Sequence, residues 1–521
     1  MTKQSFMKGT LILMAAGILN RILGFIPRIT LPRVIGAEGV GLYQMGWPFL
    51  VVMLTIVTGG IPVAIAKLVA EAEAERNEQR IRSILRVSLG LTTSLGLVFT
   101  AVCLAGSTWI TTHLLTDPRV YYTFLCMSPI ILIIGVSSVF RGYFQGRQNM
   151  IPTALSQIIE TLIRIVMVLV CAKAMLPLGI EYAAAGAMVG VMLGEIGGML
   201  VLLLHFRAGR KTLGQDVRAS IGTRRSAAGG SSLRRLLGIA MPVTGSKLVG
   251  AGSYLLESIL IAQSLAVAGI STAAATAQYG ALQGMVIPVL LLPSALTFSL
   301  SVSLIPSLSE AAARKDMPTI HKRLHQSLRL ALVTGAPFAA LMFVLAEPIC
   351  KLMYNQPDVG VMLKIMAPIA LFIYLQAPLQ AALQALDKPG AALINTFIGA
   401  AVKLTLIIWL ASKPELGIRG AIIAINANIV LVTVLHGQSV VRLLKFRMQA
   451  GDFAKTLLAV AGSGLAAFAV MYGPWAAADW LRFTCACLAG LLVYLLLITA
   501  FKLVLASDFQ RLLKLGKKII R

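Results

Sequence analysis

Charged side chains stand deep within the apolar stretches of this chain: Arg21, Arg28, Arg164, Lys247 and Lys403 against Glu160, Glu195 and Glu257. Arg21 and Arg28 lie inside the stretch Lys8 to Gly36, KGTLILMAAGILNRILGFIPRITLPRVIG, with Arg33 near its far end. That stretch is apolar enough to cross a bilayer, for which about 20 residues suffice. A charge at mid-bilayer costs about 2.5–3.5 kcal/mol on insertion scales, so it usually faces a bundle interior or a water-filled cavity. Arg33 is placed to snorkel, and Arg28 is within reach of doing so. Arg21 lies about 20 Å along a helix from Lys8, too deep for an easy return to the surface. Seven residues separate Arg21 from Arg28, so an unbroken helix points both the same way, about 10 Å apart. Pro27 and Pro32 remove backbone donors and predict a kink beside Arg28.

The remaining intramembrane charges fall on other stretches. Lys247 and Glu257 share one, ten residues apart, with Ser253 and Tyr254 between them. Glu160 and Arg164 stand one turn apart, with Gln157 on the preceding turn, and read as a structural ion pair that locks its own helix. All the aspartates (117, 216, 316, 358, 387, 452, 479, 508) lie outside the span centres. The balance within the membrane is therefore cationic. It suits an anionic substrate such as a phosphate or pyrophosphate, and suits a cationic drug poorly.

Enzyme chemistry finds no support. His113, His205, His321, His325 and His436 sit at span ends or in connections; His321 and His325 have helical spacing but no third ligand. The segment from Gly238 to Lys247 resembles a phosphate loop only superficially, with six residues between its glycines where four are required. The cysteines (103, 126, 171, 350, 485, 487) lack metal-ligand spacing and read as small core hydrophobes. No catalytic residue, metal or cofactor is expected.

The elements that must position these charges follow from composition. The chain has 521 residues, 58% hydrophobic and 13% charged, with a mean hydropathy of +0.85. A soluble protein carries about 25% charged residues, so this is a polytopic, all-α membrane protein. The first apolar run is too long for a cleavable signal, and no small-residue cleavage site follows it. Fourteen apolar spans are readable, near 8–35, 42–70, 83–112, 120–144, 150–175, 181–205, 236–266, 279–307, 323–346, 359–385, 390–412, 417–441, 453–473 and 481–506. The net charge of +26 does not point to nucleic acid. Basic residues gather in connections after even-numbered spans and in the tail, which places both termini in the cytoplasm.

The connection from Phe206 to Arg235, with RRSAAGGSSLRR, reads as a flexible basic linker. Its charge encodes topology, with contact to anionic lipid as the alternative role. An internal repeat supports a division there. At an offset of 239 residues Gln44 falls on Gln283, Glu71 on Glu310, Pro129-Ile130 on Pro368-Ile369, Gln145 on Gln384 and Arg164 on Lys403. Six spans separate the equivalents, so the halves insert in the same orientation. The expected organisation is a six-helix lobe over 1–206, a linker over 207–235, a second lobe over 236–447, and two added helices with a basic tail over 448–521. Spans 2 and 8 are interrupted by Pro48, Gly59, Gly60 and Pro62, and by Pro288, Pro293 and Pro306, as in helices that bend during transport.

The segment NRILGFIPRITLPRVIGAEGVGLYQMGWP, followed by GGIPVAIAKLVAE, resembles the stage V sporulation protein B branch of the multidrug/oligosaccharidyl-lipid/polysaccharide exporter superfamily. The resemblance covers essentially the whole chain. It implies two lobes exchanging inward- and outward-open forms around a cationic cavity for a polyprenyl-pyrophosphate sugar. Arg21 and Arg33 match arginines of the lipid II flippase pattern. That flippase has Arg-Asp where this chain has Pro27-Arg28, and its pair of arginines on span 2 has no counterpart, since Phe49 to Ala66 holds no basic residue.

The expectation is a flippase for a lipid-linked cell-wall or polysaccharide precursor, acting as a monomer in the cell membrane without nucleic acid. Membrane lipids and a polyprenyl-linked sugar are its partners. Arg21, Arg28 and Lys247 are expected to hold the pyrophosphate, Gln44 and Gln283 to meet sugar hydroxyls, and Glu257 to complete the site. Alternatives are a cation-coupled multidrug exporter, which would want acids deep in the first lobe; a membrane-embedded glycosyl- or acyl-transferase, whose motif is not visible; and a non-transporting assembly factor.

Overall fold

The structure, a computed structural model, describes residues 6–216, 229–445, 450–475 and 477–503. Helix is the regular structure throughout the described residues, as a bilayer demands of a chain that must satisfy its own backbone donors and acceptors. Thirteen stretches among them are long and apolar enough to cross a membrane. The first, Ala15–Ala74, runs for 60 residues, or about 90 Å of helix at 1.5 Å per residue, where the sequence reading counted two spans.

Two compact units divide the chain, Met1–Gly284 and Met285–Arg521. The first holds α1 (Phe6–Leu23), α2 (Phe25–Met45), α3 (Trp47–Thr58), α4 (Ile61–Ala74), α5 (Glu78–Trp109), α6 (Tyr121–Met127), α7 (Ile130–Gly146), α8 (Ile151–Met175), α9 (Ile180–Asp216), α10 (Gly229–Val267) and α11 (Thr272–Gly280). Its apolar core joins α4, α5 and α7 to one end of α10, through residues such as Ile65, Leu68, Ile84, Phe144, Leu236 and Ala240. The second unit holds α12 (Ile287–Leu291), α13 (Ser294–Ala313), α14 (Met317–Val344), α15 (Ala346–Tyr354), α16 (Gly360–Met366), α17 (Ala370–Ala385), α18 (Pro389–Leu406), α19 (Ile418–Leu444), α20 (Ala450–Tyr472) and α21 (Asp479–Ala500). There α13, α14, α17 and α19 share one core, and α20 and α21 pack on α14, where the buried Tyr494 hydroxyl donates to the Val333 carbonyl at 2.7 Å.

The breaks are informative. Pro27 has no N–H to offer the Leu23 carbonyl, and the first helix ends there, at Gly24. Arg21 and Arg28 therefore sit on separate helices, so the seven-residue spacing that aims both one way does not carry across the break. Gly36 adopts φ 66 and ψ −177 inside α2, a conformation open to glycine and strained for other residues. Gly46 and then Gly59-Gly60 interrupt the next span. Span 8 is interrupted by a π-helical turn, Ala281–Val286, and by a turn at Leu292-Pro293, while Pro306 lies inside α13. Helix also enters the stretch taken as a linker: α9 continues to Asp216 and α10 begins at Gly229, in keeping with the helix preference of its Leu, Lys and Arg. Residues 217–228, with Arg218, Arg224 and Arg225, lie outside the described residues, as do Arg447 and the tail bases from Arg511 to Arg521.

The 239-residue repeat is written into the backbone. Positive φ recurs at Arg76 and Lys315, at Thr116 and Asn355, and at Gln148 and Asp387. The 3-10 turns Pro118–Val120 and Pro357–Val359 correspond. So do two helix N-caps, Asn77 accepting from the Arg80 amide and Asp316 from the Thr319 amide. Hydrogen bonds from the Thr319 hydroxyl and amide hold the Asp316 carboxyl below the usual range.

Candidate substrate-binding site

Within the first unit, Arg28 projects from α2 as an exposed cation. Pro32 lacks the N–H that a regular helix would aim at the Arg28 carbonyl, so both the side chain and the backbone are unusual at this position. Arg28 lies within Coulomb reach of the hydroxyls of Tyr43 on α2 and Tyr254 on α10. Glu257, one turn beyond Tyr254, is buried and accepts from Gln283 Nε2 at 3.0 Å. Gln283 stands on the π-helical turn that follows α11, a device that re-aims a side chain within a helix. Gln44 packs against Gly284, next to Gln283. Arg28, Tyr254, Glu257, Gln283 and Gln44 thus form one polar neighbourhood, with Arg21 exposed on the preceding helix. A guanidinium, two phenols and two carboxamides, one of them holding the Glu257 carboxylate, can together bind an anion that carries hydroxylated groups.

A second cluster is built on α8. Arg164 Nη1 approaches Glu160 Oε1 at 3.2 Å, as the one-turn spacing predicts. Arg141 of α7 also grips Glu160, Nη2 to Oε2 at 2.7 Å, and Glu195 of α9 lies 4.0 Å from Arg164. Arg141 stands near the end of the fourth apolar span, where a basic residue also serves topology, and its spacing gives no sign of this contact. Close helix packing permits the cluster: a Cβ on Gly194 or Gly198 would crowd α8 at Arg164 and Glu160. Arg164 lies also within Coulomb reach of Tyr43, which links the cluster to the Arg28 neighbourhood.

Lys247, expected among the anion ligands, is engaged here by backbone. Its Nζ donates to the Gly59 carbonyl at 2.9 Å, and the Gly60 amide donates to Thr244 Oγ1 at 3.0 Å. The two glycines allow this approach, since a Cβ on Gly60 would collide with the Ala240 backbone. Farther along, Arg235 meets Glu71 at 2.8 Å.

At the opposite end of these helices a buried aspartate was missed by the sequence reading. Asp117, 1% exposed, accepts from Arg119 Nη2 at 2.9 Å and from the Thr276 hydroxyl of α11 at 2.7 Å. Arg119 in turn reaches Glu38 of α2 at 2.5 Å. α11 lies on α2 backbone to backbone, where a Cβ on Gly41 or Gly280 would collide with main-chain atoms of the other helix. The sequence signal was an Asp-Pro pair opening a turn; Thr276, 159 residues from Asp117, and Glu38, 81 residues from Arg119, leave no local trace.

Comparison with known proteins adds to this geometry. A family model described as polysaccharide biosynthesis protein matches residues 6–312, and one described as MatE matches residues 255–409. Stage V sporulation protein B of Bacillus subtilis (strain 168) is 41% identical over 100% of both chains. Lipid II flippase MurJ of the same organism is 23% identical over 77% of this chain and 76% of its own. A solved structure of lipid II flippase MurJ in an inward closed conformation superposes with a TM-score of 0.68 at 16% identity, covering 94% of this chain and 98% of that one. An inward-facing MATE family multidrug transporter of the MOP superfamily gives 0.63 at 15% identity, covering 82% and 95%. The two superpositions speak for a shared fold.

Proposed function

The chain belongs to the polysaccharide biosynthesis protein family, and on that premise we propose that it is a flippase for a lipid-linked cell-wall or polysaccharide precursor. It crosses the cell membrane fourteen times with both termini in the cytoplasm, as a monomer. Its lobes are 1–206 and 236–447, joined by the basic linker 207–235 and followed by the added helices of 448–521. The substrate is an undecaprenyl-pyrophosphate sugar, lipid II being one such molecule, moved by alternating access. The relatives named for lipid II flipping and sporulation support a transporter and not an enzyme.

The observation that carries this reading is Arg28. It is exposed on an apolar, proline-bearing helix and makes no hydrogen bond or ion pair with another described residue. An arginine at membrane depth is tolerated where water or an anion reaches it. A guanidinium binds a pyrophosphate through paired N–H donors, with Arg21 as the second cation, Lys247 as a third, and Gln44, Gln283 and Glu257 toward the sugar. Coulomb attraction strengthens when the site is dry and weakens when it opens to water, so opening favours release. The cation-coupled drug exporter fits less well, because the exposed charge here is positive.

Arg28→Ala should abolish transport of a lipid-linked pyrophosphate sugar in proteoliposomes at normal expression. Arg28→Lys, which keeps the charge and loses the fork, should retain part of it. Full transport by Arg28→Ala would make Arg28 a snorkelling residue and remove the anion site from this position.

A further inference from the structure

We propose that Lys247 is the switch of this transporter: its ammonium docks α10 onto the Gly59-Gly60 break, and the substrate's phosphate draws it away. This rests on the flippase reading above and names what triggers the parting of these helices.

The break between α3 and α4 interrupts the helical hydrogen-bond ladder, and Pro62 in the first turn of α4 has no N–H to contribute. α10 fills the gap twice, through Lys247 Nζ on the Gly59 carbonyl and Thr244 Oγ1 on the Gly60 amide. The fit depends on two residues without side chains: a Cβ on Gly59 would collide with Thr244, and one on Gly60 with the Ala240 backbone. From this point α10 stays on α4 through Ala240 and Leu236 to the Arg235–Glu71 pair. Beyond the break α10 continues along α3, so Lys247 stands within a docked seam, at the point where α3 gives way to α4.

What sets Lys247 apart is the mismatch between the charge and its partner. Its ammonium meets a neutral carbonyl, and among the described residues it pairs with no carboxylate. The bond to Gly59 is already charge-assisted on the donor side; a phosphate adds the attraction of a full negative charge where the carbonyl offers only a dipole, so it competes for this amine. The residue is exposed, and a Cβ on Gly250, one turn along the same face of α10, would meet nothing within 4 Å, which leaves room beside it for a headgroup. One ammonium held at Gly59 is lost to a ligand elsewhere. A ligand that binds the undocked form shifts the population toward it.

The experiment measures the distance between spin labels on Ala74→Cys and Arg234→Cys, exposed positions at the ends of α4 and α10, in the full-length protein in nanodiscs. With Lys247 intact the labels should be close, and undecaprenyl pyrophosphate should move them apart. Lys247→Met, which neither donates nor carries charge, should be apart without ligand. Lys247→Gln keeps a donor, so it should be close without ligand and need at least about tenfold more undecaprenyl pyrophosphate, the equivalent of about 1.4 kcal/mol, to part. Gly60→Leu should part the helices whatever stands at 247. Inorganic pyrophosphate should act only at concentrations about tenfold higher than the lipid; equal potency would overturn the lipid-linked trigger. Close labels in Lys247→Met would overturn the dock, even where the intact protein responds to the lipid and the flippase reading stands. A Lys247→Gln protein that parts at the same lipid concentration as the intact one would overturn the role of the charge. Lack of response in the intact protein, with Lys247→Met apart, would overturn the pyrophosphate substrate and leave the dock.

Discussion

At the scale of single residues, the charges sort into those that hold the fold and those available to a ligand. Glu160 is gripped by Arg141 at 2.7 Å and Arg164 at 3.2 Å, while its side chain is almost fully buried. Removing it strands two cations, and breaking a buried pair costs about 3–5 kcal/mol, the lower end applying where the arginines keep some solvent. Glu160→Ala should therefore lower folded yield and melting temperature. Glu160→Gln with Arg164→Gln should recover only part, because Arg141 remains, and adding Arg141→Gln should recover more. Normal yield from Glu160→Ala would place the cluster in a hydrated, functional location. The pairing of Glu160 with Arg164 was legible in sequence, because one helical turn fixes it. Arg141 and Glu195 were not, because they arrive from two other helices through glycine contacts that no spacing encodes.

At the scale of elements, the helices of the first unit are fastened at both ends. α10 is bound to α4 near Glu71 and Gly59, and α11 to α2 near Glu38 and Gly41. Small residues let membrane helices approach closely enough for van der Waals packing to hold them. A valine at Gly280 should lift α11 from α2 and loosen the Asp117–Thr276 hydrogen bond. Hydrogen exchange over residues 272–284 should then accelerate in Gly280→Val, and to a smaller degree in Asp117→Asn. Unchanged exchange in both would mean that this contact does not hold α11 in place. Sequence located most of the spans, since apolarity over about 20 residues is a strong signal, although it counted fourteen where thirteen stretches among the described residues qualify. It placed the first break three residues late, at Pro27, because a proline disrupts the turn before it.

At the scale of the whole molecule, two halves share backbone detail down to single positive-φ residues, and differ where charge is concentrated. The positions equivalent to Arg141, Glu160, Arg164 and Glu195 carry Gln380, Gly399, Lys403 and Val434, and Asp117 corresponds to Gln356. The repeat was readable from a few matched residues because turns and caps depend on local residue types, which survive at fixed spacing. The divergence marks the first half as the one specialised for charge, and Arg28 belongs to it. The most direct measurement is flipping in proteoliposomes of purified protein with defined lipids, comparing an undecaprenyl-pyrophosphate sugar with a hydrophobic cationic drug. Transport of the pyrophosphate-linked sugar, lost in Arg28→Ala and absent for the drug, is the predicted result. Transport of the cationic drug with no movement of the lipid-linked sugar would contradict it.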